Sequence, residues 1–140
     1  MKIIIAFMFI VTTLLSDVEW LSYEEAQVVS KRTCKPIFLD VYRVDCGACN
    51  ALFSGIEKNE KLQKVISLYV PARITAEDAL YEYETKVEST PTIMFMDPQR
   101  EEMLRSLEGL PSNPNDLITY SLNGIKAMKS THKCFVLPKK

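Results

Sequence analysis

Histidine is nearly missing from this chain: of 140 residues only His132 is one, and it falls among the last ten. A lone imidazole in a tail reads as solvated, so a histidine base or ligand set has little to build on. Charge of one sign is also lacking. The formal net charge is −1, and Lys and Arg are scattered rather than gathered into a stripe. That excludes the electrostatic footprint of a nucleic-acid or membrane-surface binder. Internal repeats and low-complexity segments are absent too, leaving a chain of one-domain length with 47% hydrophobic residues to build a core.

The apolar run at the N-terminus, Ile3 to Leu15, is thirteen residues long. A bilayer-spanning helix needs about 20. Following Met1-Lys2, the run suits the apolar region of a secretory signal. Ser16 fits the last position before a cleavage site, whereas Leu14 is large where a small residue is preferred. Residues 1–16 are therefore expected to be a signal peptide, with an uncleaved membrane anchor as the alternative. In both cases residue 17 onward lies outside the cytoplasm, periplasmic or otherwise exported, where disulfide chemistry is available. No lipobox-like cysteine follows the run.

Against these absences stands Cys46-Gly47-Ala48-Cys49, preceded by the apolar run Pro36-Ile37-Phe38-Leu39-Asp40-Val41-Tyr42. The run reads as a buried strand, and the cysteines then fall in the first turn of a helix. That spacing lets two sulfurs close a small disulfide. The helix N-terminus presents unpaired N–H groups and partial positive charge to the first sulfur, favouring its thiolate. Thiolate is the attacking species, so Cys46 is expected to be the nucleophile and Cys49 the resolving thiol. Half of a zinc site is the other reading, but Cys34, His132 and Cys134 are not spaced as a second ligand pair.

Ser22-Tyr23-Glu24-Glu25 is a capping box, predicting a helix to about Arg32 that buries Tyr23, Ala26 and Val29. Lys35-Pro36 breaks it before the strand Ile37 to Tyr42, and Asp40 interrupts that strand as either an edge feature or a buried functional acid. A helix from Cys46 to about Glu57 and a second piece, Glu60 to Ile66 capped by Asn59, come next. Leu68 to Ile74 is expected to be an edge or bulged strand, because Pro71 cannot donate to a ladder. Ala76 to Val87 has helical composition. Thr92 to Met96 is a strand, Asp97 to Arg100 a turn and Glu102 to Leu107 a returning strand. Asn113 and Pro114 open a last helix with Leu117, Ile118, Ser121, Leu122, Ile125 and Met128 on one face. This order predicts an α/β fold: a central parallel pair of strands extended by an antiparallel hairpin, with helices on both faces. The domain is expected over residues 17–130, with 131–140 as a tail.

Over about residues 19 to 128 the chain resembles the thioredoxin superfamily. Asp40 lies six residues before Cys46, where that family places a buried aspartate. Thr90-Pro91-Thr92 matches its cis-proline segment facing the disulfide, and Gly109 its glycine after the last strand. More narrowly, Lys35 to Tyr42 with Cys46-Gly47-Ala48-Cys49 is similar to the C-terminal periplasmic domain of the transmembrane reductase DsbD, as is Arg73-Ile74-Thr75-Ala76-Glu77-Asp78. Three features depart from these patterns, the first being Ala48 where thioredoxins carry a proline between their cysteines. Asp45 replaces the usual tryptophan and is expected to oppose thiolate formation at Cys46, with Arg43 as the nearby charge that can offset it. Phe53 stands where the DsbD domain has a second acid, so tuning by that carboxylate does not carry over.

The resemblance implies a thioredoxin fold and an exported thiol–disulfide oxidoreductase, a reductant rather than an oxidant, acting as a monomer without metal or organic cofactor. Exported relatives of this type serve oxidised enzymes, cytochrome c maturation or sulfur-oxidation proteins. Its implied partners are protein disulfides as substrates and a membrane dithiol as electron donor, with no nucleic acid. Asp40 would exchange a proton with Cys49, and Thr90 and Pro91 would bind substrate. In that fold the last helix returns to the end of the sheet where Cys34 lies, so Cys34 and Cys134 either form a structural disulfide or remain two independent thiols. Two other classes stay open: a non-catalytic binding module on the same fold, and a metal-handling protein using the cysteine pair.

Overall fold

The capping box expected at Ser22 is formed. Glu25 N–H donates to Ser22 Oγ at 3.3 Å, and Ser22 N–H donates back to Glu25 Oε2 at 3.0 Å. Glu24 and Glu25 in the first turn and Lys31 and Arg32 in the last complement the helix dipole of α1 (Tyr23–Thr33). The computed structural model describes residues 18–97 and 102–131. The leader expected at 1–16, most of the Asp97 to Arg100 turn and the tail from 132 on lie outside the described residues.

Before α1 comes a two-residue strand, β1 (Leu21–Ser22), and after it β2 (Ile37–Tyr42). Then follow α2 (Gly47–Glu57), α3 (Glu60–Ile66), β3 (Val70–Thr75) and α4 (Ala76–Tyr83). The chain closes with β4 (Thr92–Met96), β5 (Met103–Glu108) and α5 (Pro114–Thr131). Asn59 caps α3 as its sequence position suggests, accepting from Leu62 N–H at 3.1 Å. Asn113 Oδ1 likewise accepts from Asn115 N–H at the start of α5. The α4 helix is shorter than its composition suggests. It starts from a Thr75 cap and stops where Glu84 turns left-handed at φ 53.

The sheet order is β1-β3-β2-β4-β5. The first three strands are mutually parallel, and β4 and β5 are antiparallel additions. This is the α/β arrangement expected from the element order. Alternation along β2 sends Ile37, Leu39 and Val41 to a core shared with Tyr23 and Ala26 of α1 and Ala76 and Ala79 of α4. Phe38 points the other way, into a core with Leu52 and Ile56 of α2, Leu62 and Ile66 of α3, Leu117 of α5 and Phe95. Phe38 is fully buried, a burial worth roughly 1.5–3 kcal/mol. Helices α1 and α4 therefore cover one face and α2, α3 and α5 the other.

The edge or bulged strand expected around Pro71 is not observed. β3 lies inside the sheet, between β1 and β2, in continuous register with β2. Val70 N–H turns toward β2 and donates to Pro36 O at 2.8 Å. Strand alternation therefore turns the Pro71 nitrogen to the other side, where β1 pairs only from Ala72 onward. The missing donor falls just beyond the reach of a very short neighbour. Among the described residues, no helix is long and apolar enough to cross a membrane.

Candidate active site

The parallel strand β2 ends at Tyr42, and an exposed connection, Arg43 to Asp45, carries the chain to α2. Cys46 is the N-cap of α2, in extended conformation, and its Sγ accepts from Cys49 N–H at 3.1 Å. A sulfur at an N-cap receives the N–H groups that a helix leaves unpaired at its start. Cys46 and Cys49 form a disulfide with Cα atoms 5.2 Å apart. The two sulfurs are not equivalent: Cys46 is half-buried and Cys49 fully buried. Of the two, Cys46 alone is open to an incoming disulfide.

Thr90 and Pro91 come to this pair from the loop before β4. Cys46 Sγ lies 3.7 Å from Thr90 O and 3.7 Å from Thr90 Oγ1. The Thr90–Pro91 peptide bond is cis. Gly109, at φ 77 after β5, donates its N–H to Pro91 O at 2.7 Å. That left-handed turn is one an L side chain adopts only with strain. Thr92 Oγ1 donates to Ser89 O at 2.7 Å and fixes the loop from its other side.

Asp40 is buried, not an edge feature. It shares the face of β2 with Phe38, under the layer that includes α2, and is 0% exposed. Its Oδ2 accepts from Arg73 Nε at 2.9 Å, while Oδ1 is buried with no hydrogen-bond partner among the described residues. Burial pushes the Asp40 carboxyl above the ordinary aspartate range, and the charge and hydrogen bond of Arg73 pull it part of the way back.

Arg73 is the site residue that sequence reasoning missed. It lies on β3 opposite Asp40 in the parallel register. Its guanidinium carbon lies over two rings, 4.2 Å from the Tyr42 centroid and 4.2 Å from that of Phe53. Phe53 follows Cys49 by one turn of α2. Phe53 in place of an acid thus faces a cation through its ring. The sequence signal was an arginine in a strand otherwise read as apolar, but its partner depends on a register between strands 33 residues apart.

Cys46, Cys49, Thr90 and Pro91 are thus brought together, and Asp40 is joined to α2 through Arg73 and Phe53. Cys34 is elsewhere. It is the C-cap of α1, just before β2 begins, at the end of the sheet opposite the cysteine pair. Cys134 and His132 lie outside the described residues. Among the described residues, no group of three or more His, Cys, Asp or Glu side chains could hold a metal ion. Trp20 packs into the aromatic core, 6.0 Å from Phe38 and 5.7 Å from Phe53 by ring centroids.

The family model for the thioredoxin-like domain matches residues 23–121. No curated protein sequence matches the chain. Among solved structures, a thioredoxin from Thermus thermophilus superposes with a TM-score of 0.64 at 18% identity, over 79% of this chain and 88% of that one. A DsbH oxidoreductase gives 0.64 at 18% identity, over 79% and 86%. A thioredoxin from Fasciola hepatica gives 0.55 at 19% identity, over 74% and 94%. At these identities the likeness is one of fold. With the paired cysteines at the head of α2 and the family match over most of the chain, this protein belongs to the thioredoxin-like domain family and is a thiol–disulfide oxidoreductase.

Proposed function

We propose that the protein is an exported reductant of protein disulfides, acting as a monomer and recharged by a membrane dithiol reductase. The observation that carries this reading is the asymmetry of the pair, an accessible Cys46 at a helix N-terminus joined to a buried Cys49. In the reducing direction Cys46 thiolate attacks a substrate disulfide, forming a mixed disulfide and releasing one substrate thiolate. Cys49 then loses its proton to Asp40, attacks Cys46 Sγ and releases the second substrate thiolate. The substrate gains two electrons and the Cys46–Cys49 disulfide returns. The Thr90–Pro91 segment beside Cys46 offers backbone groups with which an extended substrate can pair.

Three features support the reducing direction and the location. Asp45 is exposed immediately before Cys46, and a nearby carboxylate disfavours the thiolate. A dithiol whose reduced form is poorly stabilised gives up its electrons readily. Lys35 to Tyr42 and Cys46 to Cys49 are similar to the DsbD reductase domain, and the apolar run Ile3 to Leu15 suits export.

The test has two readouts. Purified reduced protein is expected to reduce insulin disulfides with turnover when a dithiol recycles it. In cells, alkylation trapping of Cys46 and Cys49 is expected to find mostly thiols. A mostly oxidised pair would overturn the reducing direction, and absence of insulin reduction would overturn the catalytic reading in favour of a binding module.

A further inference from the structure

We infer that the segment after α5 folds back on the end of the sheet away from the cysteine pair, tethered by a Cys34–Cys134 bond, and seats Phe135 and Leu137 in an apolar cavity beside Cys34. Nothing in this depends on the direction in which the Cys46–Cys49 dithiol works.

Among the described residues, the cavity has a volume of about 370 Å³ and lies where α1 and α3 end and β3 begins. Leu21, Val29, Val70 and Pro71 give it apolar walls. Apart from the exposed Glu19, its polar side chains already bond within the protein. Thr33 Oγ1 donates to Val29 O at 2.8 Å, Lys35 Nζ to Ser67 O at 3.4 Å and Ser67 Oγ to Lys64 O at 2.7 Å. Gln63 Nε2 donates to Ile56 O at 3.3 Å, and the Tyr69 hydroxyl donates to Ser121 O. A small polar ligand needs convergent polar groups to orient it, whereas this lining offers its surface to apolar side chains. A space of about 150 Å³ holds a benzene ring, so Phe135 and one aliphatic side chain fit here together.

Chain position supplies the occupant. Thr33 and Lys35, on either side of Cys34, both line the cavity. Cys34 is disulfide-bonded. Cys46 is bonded to Cys49, so Cys134 is the cysteine of this chain left to partner it. Helix α5 packs against α3, passes Tyr69 at Ser121 and ends at Thr131. The three residues from there to Cys134 reach at most about 11 Å. Phe135-Val136-Leu137 then follows, with Lys133 before Cys134 and Lys139-Lys140 close behind. Three consecutive large apolar residues are foreign to a solvated tail. In an extended chain Phe135 and Leu137 share one side and Val136 takes the other. Closing the tether joins the two sulfurs and removes two electrons and two protons, which pass to another disulfide and convert it to a dithiol. Compartments outside the cytoplasm supply such disulfide oxidants.

Oxidised full-length protein tests this with trypsin. Peptide mapping without reduction first establishes the bond in each variant. Cleavage after Lys133 is then timed by mass, each aliquot being reduced before weighing. The Phe135→Ser, Leu137→Ser double variant is expected to be cut at least about tenfold faster than wild type, because cutting follows the population of the open tail. Val136→Ser, on the outward side, should stay within about twofold of wild type. Phe135→p-benzoylphenylalanine locates the docked side chain by light-induced cross-linking. Cross-links are expected within one chain, to peptides that contain Val29 or Val70 and Pro71. Cross-links to a second copy, to residues 1–16 or to none of the lining peptides would overturn the inference. Equal cleavage of wild type and the double variant would do the same, while leaving the Cys34–Cys134 bond standing. Absence of that bond from oxidised wild-type protein would remove the tether, and the inference with it.

Discussion

The Tyr69 hydroxyl stands 2.5 Å from the point that a Cβ on Gly124 would occupy, and the Phe95 ring 3.2 Å from it. At Gly124 α5 thus lies close against Tyr69 and Phe95, and the Tyr69 hydroxyl donates to Ser121 O. Burial raises the proton affinity of that phenol well above the ordinary tyrosine range, partly offset by a backbone hydrogen bond at Ile125.

Gly124→Ala should therefore destabilise the fold by about 1–3 kcal/mol, since Tyr69 and Phe95 must shift together. Gly55→Ala, in α2 with no heavy atom within 4 Å of its added methyl, should stabilise by about 0.5–1 kcal/mol through helix propensity alone. Urea unfolding of the two variants should move the midpoint in opposite directions. A shift of the same sign in both would contradict the packing described for α5.

The difference in exposure between the two sulfurs predicts which single variant traps substrate. Cys49→Ala should accumulate mixed disulfides through Cys46, because no thiol remains to resolve them. Cys46→Ala should trap nothing, its remaining sulfur being fully buried. Non-reducing gels of protein captured from cells would show the contrast, and equal trapping by both would refute the assignment.

Asp40 makes the stability of the fold depend on pH in a defined direction. Its folded-state proton affinity is raised, burial outweighing Arg73, so the folded protein binds more protons than the unfolded chain. A carboxyl shifted this way costs nothing while it is protonated in both states. Its cost appears as pH rises from the ordinary aspartate value through the elevated one. Asp40→Asn should therefore gain stability relative to wild type on going from pH 4 to pH 8, as read from urea midpoints at each pH. A relative loss over that range would mean that the pair with Arg73 outweighs desolvation.

For Cys34 the expectation from sequence still stands as a proposal. Cys34 ends α1 in left-handed conformation at φ 55, where β2 and β3 both begin. Tyr69, at that same end, packs against α5, and Cys134 follows the end of α5 by three residues. A Cys34–Cys134 bond would close a loop of about 100 residues, worth at most roughly 4.7 kcal/mol by chain entropy. Peptide mapping without reduction should yield the linked pair, and ready alkylation of both thiols in oxidised native protein would exclude it.

What the sequence made legible was mostly local. Ser22 with Glu25, Asn59, and Pro114 after Asn113 each declare a helix start within four residues, and each helix begins there. The apolar run Ile37 to Tyr42 and the cysteines after it needed no distant information either. Pro71 was misjudged, and Arg73 passed over, for the opposite reason. Which strand lies beside β3, and in what register, follows from packing between segments some thirty residues apart. Until that is known, a proline without a donor looks like an edge and an arginine in a strand has no visible partner. β1 left no trace because two residues carry no periodicity. Leu122, placed on the buried face of α5 by its spacing, is 41% exposed. Gly124 takes the contact instead, because only a residue without a side chain fits over Tyr69.

Trp20 is the chain's single tryptophan, set directly before β1 and packed on Phe38 and Phe53. The molecule thus carries one indole fluorophore, distinguishable from its six tyrosines by its longer-wavelength emission, at the outer margin of the sheet. Trp20 shares a neighbour, Phe53, with Arg73, so its emission is expected to report the docking of the first strand against the aromatic layer. Loosening of that margin would be visible as an optical signal before the central strands separate.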